Sequence, residues 1–370
     1  MNGQDATRAP ETHSWTLNVQ HQMTNNIVVE VGYNASAGIH LQSGILNLNQ
    51  VPTAAFNSLV SQFGTTNGLN ILRSDINSAT AKNAGFLPPY PSFATQSLRS
   101  VAQSLRPFPQ YSTISTGVQN GDKSGHSSYH AFLLKANSRF SRSLTGQWSY
   151  AFSKLLTDSD TYFANSGSAM DQYNRGLEKS IGQFDRTHTL KFSTIYNLPF
   201  GQGQRWATKG FMSQVIGGWR LAGIQVYNSG APLGLSRNNP LQIFNGVTRP
   251  LVDAYDNWKV TWIGDKFDPA VDRYLKPASA FPVQPVGFGN ATRYNPKVRG
   301  FWGKSENLSL SKTFVLHESI KLDFRGEAFN IFNRVVFGNP QLNLNAMNFG
   351  QITGQGNEAR TMQLALKMYW

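Results

Sequence analysis

The sequence contains no cysteine in 370 residues. That excludes a disulfide-stapled secreted fold and weakens the case for a cytosolic enzyme, which at this length usually carries a few thiols. No run of apolar residues approaches the ~18 that a membrane-spanning helix needs. The oiliest pieces, such as Ile27-Val28-Val29-Glu30-Val31, are short and interrupted. Charge is scarce, at 14% of residues, and its excess of +13 is scattered rather than gathered in a basic helix or a Lys/Arg-rich run. Nucleic-acid binding normally needs a concentrated basic footprint, so no nucleic-acid partner is expected. Contact with phosphate-bearing lipid head groups, or a cation-lined lumen, is the more ordinary source of the excess. The opening Met1-Asn2-Gly3-Gln4-Asp5 lacks the basic start and apolar core of a signal peptide. If the chain is exported, its true start is expected upstream.

What the sequence has is a period of two. Ile320, Leu322, Phe324, Gly326 and Ala328 alternate with Lys321, Asp323, Arg325 and Glu327, and Met362, Leu364, Leu366, Met368 and Trp370 alternate with Gln363, Ala365, Lys367 and Tyr369. Successive strand residues point to opposite faces, so each segment has one oily and one wet face. Runs of roughly 10 residues suit tilted strands crossing a bilayer, whereas soluble strands average ~5–6. The pattern recurs around Trp15–Gln20, Ile27–Tyr33, Phe132–Phe140, Leu144–Phe152, Leu190–Leu198, Trp219–Ser229 and Leu308–Phe314, which makes nine strands. Between them, short turns at 23–26, 141–143, 199–216 and 315–319 alternate with long loops at 37–128, 157–186, 231–303 and 331–358. Short turns on one side and long loops on the other are the mark of a bacterial outer-membrane barrel. The long loops are irregular and Pro-rich, with a helix predicted over Thr53–Phe63 and a strand near Tyr111–Val118. The expected fold is all-β, an antiparallel transmembrane β-barrel. Bacterial barrels normally have an even number of strands, so residues 1–370 are expected to be the C-terminal portion of a larger barrel, with about 9–10 strands present and a plug domain and earlier strands absent.

Several phrases then resemble one family. Phe324-Arg325-Gly326-Glu327-Ala328-Phe329-Asn330-Ile331-Phe332-Asn333-Arg334 and Phe337-Gly338-Asn339-Pro340 are similar to the penultimate strand and loop of TonB-dependent outer-membrane receptors. Phe184-Asp185-Arg186-Thr187-His188, Asn197-Leu198-Pro199-Phe200-Gly201, Ser128-Tyr129-His130-Ala131-Phe132, Arg139-Phe140-Ser141-Arg142 and Trp15-Thr16-Leu17-Asn18-Val19-Gln20 also look like that family, in the branch with an N-terminal carboxypeptidase-regulatory-like domain. The resemblance implies an energy-coupled importer in the outer membrane of a Gram-negative bacterium. TonB would act through a plug, and the ligand would be small: an iron chelate, an oligosaccharide or a peptide. Nothing here resembles the plug or the TonB-contacting box, so this portion is not expected to transport alone. The alternatives are a passive outer-membrane channel or secretion barrel, and a soluble saccharide-binding β-sheet protein.

The wet faces supply the ligand-contact candidates expected to face the lumen: Lys135, Arg139, Lys191, Lys321, Asp323, Arg325 and Glu327. The plainer reading of the last four is a ladder of cross-strand ion pairs holding the wall. Leu364, Leu366, Met368 and Trp370 end the chain on an oily, aromatic face. The resemblance implies a signal for the barrel-assembly machinery there, with Trp where the family favours Phe. Trp15, Tyr33, Tyr196, Trp219, Tyr227, Tyr369 and Trp370 are expected to form girdles beside outer-membrane lipid and lipopolysaccharide.

No enzyme activity, cofactor or metal site is expected. Asp185, Arg186 and His188 lack a nucleophile and read as a structural ion pair. His126 and His130 suit zinc only on a helix, and Asp158, Asp160 and Asp171 lack the spacing of a calcium loop. Lys312 is a misfit on an oily face, where the midplane cost is roughly 2–4 kcal/mol; it is expected near head groups or snorkelling to them, or else the strand register differs there.

Overall fold

The computed structural model describes residues 7–42, 47–116, 122–160, 169–238, 248–253, 258–260, 267–282, 287–317 and 320–370. Its strands are β1 (Glu11–Thr24), β2 (Ile27–Leu41), β3 (Gly125–Arg139), β4 (Leu144–Thr157), the two-residue β5 (Ser180–Ile181), β6 (His188–Asn197), β7 (Trp219–Asn228), β8 (Gly303–Val315), β9 (Lys321–Phe329) and β10 (Thr361–Tyr369). They form one sheet in the order β1-β2-β3-β4-β6-β7-β8-β9-β10, with β5 added to β4. Every pairing is antiparallel. Connections run short and long in turn. The links β1–β2, β3–β4, β6–β7 and β8–β9, of two to 21 residues, leave from one end of the strands, and the longer links β2–β3, β4–β6, β7–β8 and β9–β10 from the other. No helix among the described residues is long and apolar enough to cross a membrane.

The register keeps one face oily across the whole sheet. Leu17, Tyr33, Phe132, Phe152 and His188 lie side by side from β1 to β6, and Leu221, Leu310, Gly326 and Leu364 continue that face from β7 to β10. A one-residue slip at any pairing would carry that strand's oily set to the wet face, so the shared alternation fixes the register. These residues are not buried against protein: Leu17, Leu364 and Leu366 are 67%, 75% and 65% exposed. A wall that turns its apolar side outward needs lipid against it.

The buried core lies instead in the long loops. After β2 the chain forms α1 (Thr53–Phe63), α2 (Thr65–Arg73), α3 (Ala79–Asn83) and α4 (Val101–Ser104). In α1, Phe56, Leu59, Val60 and Phe63 recur at helical spacing and face Ile71, Leu72, Phe93 and Val101. Gly64, at φ 75°, ends α1 and starts α2, a backbone that a residue with a Cβ adopts only under strain. Ser78 and Ser100 cap α3 and α4 by accepting the Ala81 and Gln103 N–H. A second core gathers Leu233, Leu235, Trp258, Tyr274, Leu275 and Phe281 from the 229–302 loop with Phe349 and Ile352 from the 330–360 loop. The helix expected over Thr53–Phe63 is present with those bounds. The strand expected near Tyr111 is reduced to one bridge between Ser115 and Asn47, and 117–118 lie outside the described residues.

Candidate functional site

On the wet face, Gln20, Glu30, Lys135, Ser149, Lys191 and Val226 form one row. Two strand spacings place Lys135 and Lys191 roughly 10 Å apart across Ser149. Lys135 Nζ donates to Glu30 Oε1 at 3.1 Å. Where this row approaches the loops, a recess of about 310 Å³ is lined by Lys135, Lys191, Tyr129, Phe184, Asp185 and Arg186, among others. Its one carboxylate is already engaged, since Asp185 Oδ2 accepts from Arg299 Nη2 at 2.6 Å and its Oδ1 accepts the Leu155 N–H. Burial, and then the nearby Arg299, pull the Arg186 pKa below its ordinary value, with Asp185 acting the other way. The guanidinium stays charged. Lys191, Arg186 and the Glu30-paired Lys135 therefore face one recess with the exposed ring of Phe184.

The other candidates lie apart from this recess. Arg139 lines a second recess of about 490 Å³ at the turn end with Asn26, Asn137, Gln147 and Ser193. It shares a wet-face row with Thr145, Ile195, Ala222, Ser309 and Glu327. Lys321, Asp323, Arg325 and Glu327 occupy that face of β9, but the ladder of cross-strand ion pairs does not form. Asp323 accepts from Thr313 Oγ1 at 2.5 Å, Glu327 accepts from Gln363 Nε2 at 2.5 Å, and Arg325 contacts Glu327 along its own strand at 3.9 Å. Half of their cross-strand neighbours are Ser, Thr and Gln, which offer hydrogen bonds, and the one opposite charge, Lys367 across from Asp323, forms no ion pair with it.

Asp185 also corrects an expectation. Its ionic partner is Arg299, 114 residues away, while Arg186 donates to its backbone carbonyl. Similar buried pairs tie the loops together: Glu178 holds Arg249 through both carboxylate oxygens at 3.0 Å, and Asp160 holds Arg293. Asp158 accepts the His126 N–H and Asp171 accepts from Gln50 and Thr53, so the three aspartates considered for calcium have separate partners. His126 and His130 sit on β3, roughly 13 Å apart along a strand. His188 and His130 instead repeat one arrangement on the oily face. Tyr150 and Tyr33 hydroxyls lie 2.8 and 2.7 Å from their Nδ1 atoms, and the rings stack. Trp15 meets His130 edge-on and Trp302 stacks on His188, giving the loop side an aromatic rim. Tyr369 falls outside the expected girdles, because it pairs with Lys321 on the wet face. Leu364, Leu366 and Met368 keep the oily face of β10, and Trp370, just beyond it, is 87% exposed.

Two features of the oily face were not legible from spacing. The register does place Lys312 there, between Trp219 and Phe324, yet it is only 6% exposed. Helix α5 (Gly210–Ile216), from the 198–218 connection, supplies the Gln214 and Val215 carbonyls that accept from its Nζ, and the Phe314 ring lies 4.5 Å away. A helix C-terminus is a favourable place for a cation. Toward the loops, Asn330 and Asn333 both take φ 50°, a region that Asn tolerates better than most residues. Asn330 bonds the Arg334 N–H and carbonyl, which aims the guanidinium at buried Glu306 at 2.9 Å. Two asparagines three apart at a strand end were the available signal.

An outward-facing oily sheet with turns on one side and packed loops on the other is the geometry of a membrane barrel wall. The outer membrane beta barrel domain family matches residues 2–363. The chain belongs to that family. The barrel is accordingly a protein of the outer membrane of Gram-negative bacteria. No curated protein sequence matches it. Among solved structures, it is similar to the outer membrane transporter YddB from Escherichia coli, with 8% identity and a TM-score of 0.47 over 100% of this chain and 34% of that one. It is also similar to the ferripyoverdine receptor of Pseudomonas aeruginosa, with 8% identity and a TM-score of 0.39 over 99% of this chain and 28% of that one. The ferric enterobactin receptor of the same organism gives 9% identity and a TM-score of 0.27 over 100% and 40%. The barrel chain thus spans about a third of the length of these transporters. The likeness is loose, and the family match carries the assignment.

Proposed function

We propose that this chain is the C-terminal portion of the barrel of a TonB-dependent receptor, and that its wet face and loops receive a small anionic ligand for energy-coupled import. The observation that carries the reading is the recess where Lys135, Lys191 and Arg186 converge beside Phe184, under loops tied down by buried ion pairs. Cations on a rigid wall attract an anion without reorganising, and an exposed ring offers a face to a planar or apolar part of it. The solved ferripyoverdine and ferric enterobactin receptors are of the same broad architecture, which makes anionic iron chelates the first ligands to try. TonB would engage a plug, not the residues described above.

The test is ligand titration on outer membranes carrying the whole receptor, with Lys135→Glu and Lys191→Glu. Each reversal removes one attraction and adds one repulsion. Affinity for an anionic ligand should fall at least tenfold, or ~1.4 kcal/mol, while barrel assembly is unchanged. Unchanged affinity in the double variant would move the ligand site elsewhere. Steady ionic conductance in planar bilayers, with no TonB dependence of uptake, would favour the passive channel.

A further inference from the structure

We propose that α5 is an interfacial anchor that lies in the phospholipid head-group layer on the turn side of the outer membrane and prefers anionic lipid. Three of the four connections on that side span two to five residues, and the fourth, 198–218, runs to 21 and carries a seven-residue helix. In α5, Phe211, Met212, Val215 and Ile216 fall at helical spacing on one side, leaving Ser213 and Gln214 on the other. Phe211 is 76%, Met212 56% and Val215 44% exposed, and Trp206 just before the helix is 50% exposed.

The carbonyl end of α5 is fixed to the oily face of the sheet. Lys312 donates to the Gln214 and Val215 carbonyls, and Trp219 Nε1 donates to the Val215 carbonyl at 3.0 Å. The free apolar side therefore continues the lipid-facing wall at its turn-side edge, with no loop core against it. Charge selects the occupant. Arg205 and Lys209 are exposed in the run leading into the helix, and the sequence has no Asp or Glu from 187 to 252. An apolar helix face with cations at its approach and no countercharge is the pattern of an element lying in a head-group layer with anionic lipid, roughly 5–10 Å into the boundary. Lys312 thereby serves as the pin that holds the anchor at that depth.

These 370 residues have no cysteine of their own to compete for a label. Nitroxide labels at Met212→Cys on the anchor, Gln204→Cys on its polar approach and Leu364→Cys on the wall would be read by power saturation. The sample is whole receptor, purified from outer membranes and reconstituted with phosphatidylglycerol and phosphatidylcholine. The labels at 212 and 364 should collide more with oxygen than with a water-soluble nickel chelate, and the label at 204 should show the reverse. Arg205→Ser with Lys209→Ser should lose the deepening of the 212 label that phosphatidylglycerol brings, with the 364 label unmoved. A 212 label in water beside a 364 label in lipid would overturn the anchor and leave the barrel intact. A 212 label whose depth ignores lipid charge would overturn the anionic preference.

Discussion

Glu306 lies on the oily side of β8, opposite Gln225, and is 1% exposed. An unpaired carboxylate there would be costly, and two groups prevent it: Tyr227 donates to Oε1 at 3.1 Å and Arg334 at 2.9 Å. The arginine is the more important, because removing one member of a buried pair costs more than replacing both. Arg334→Ala should therefore destabilise the protein by roughly 2–3 kcal/mol. Glu306→Gln should cost less alone, since the amide oxygen keeps the Tyr227 bond, and should recover part of the loss when combined with Arg334→Ala. Urea midpoints of the four proteins in detergent give the coupling, and strictly additive losses would refute the pairing. Neither Glu306 nor Lys312 is explicable from its own segment. Period two puts both on the oily face, and what permits them, Arg334 and the α5 carbonyls, comes from other elements.

At the scale of elements, the strands were legible because each carries its own alternation, and the turn side because short links leave little freedom. The wet-face positions of Lys135, Lys191 and the β9 charges follow from the same period, but the recess does not. Its closure depends on Phe184, Asp185 and Arg186 being held by Arg299 across 114 residues, a separation that no local pattern encodes. The loop cores were equally hidden, since Tyr274 and Phe349 come together from two aperiodic segments. Tyr274 gives that module a pH signature. Burial raises its hydroxyl from an ordinary value of about 10 to about 12, and the hydroxyl donates to the Arg299 carbonyl. A raised acid is neutral in the fold at a pH where the unfolded chain ionises. Its contribution is therefore complete below about pH 10 and is lost as pH rises toward about 12. Tyr294 is raised by burial in the same direction, whereas Lys259, over the Tyr274 ring at 4.9 Å, is lowered and acts oppositely. The loop module should loosen in that window, as protease access measured against pH would show. Tyr274→Phe should be less stable at neutral pH and fall less steeply in alkali. An unchanged slope would mean that Tyr274 does not ionise with unfolding.

For the whole molecule, the decisive fact is parity. The nine long strands among the described residues run alternately, so β1 and β10, eight steps apart, point the same way. Joining them would need a parallel seam in a sheet whose every other pairing is antiparallel, and a wholly antiparallel wall closes only with an odd number of further strands. Both edges are consequently open: all 14 residues of β1 and all nine of β10 are exposed. In hydrocarbon each unpaired backbone N–H or C=O costs several kcal/mol, so neither edge is stable against lipid. Given an export signal, these 370 residues by themselves should reach the outer-membrane fraction poorly and aggregate through their edges, with no heat-modifiable monomer on a detergent gel. Co-expressing the strands that complete the wall should restore that band. A heat-modifiable monomer from this chain alone would mean that β1 and β10 do close on each other, and the larger-barrel proposal would fall with it.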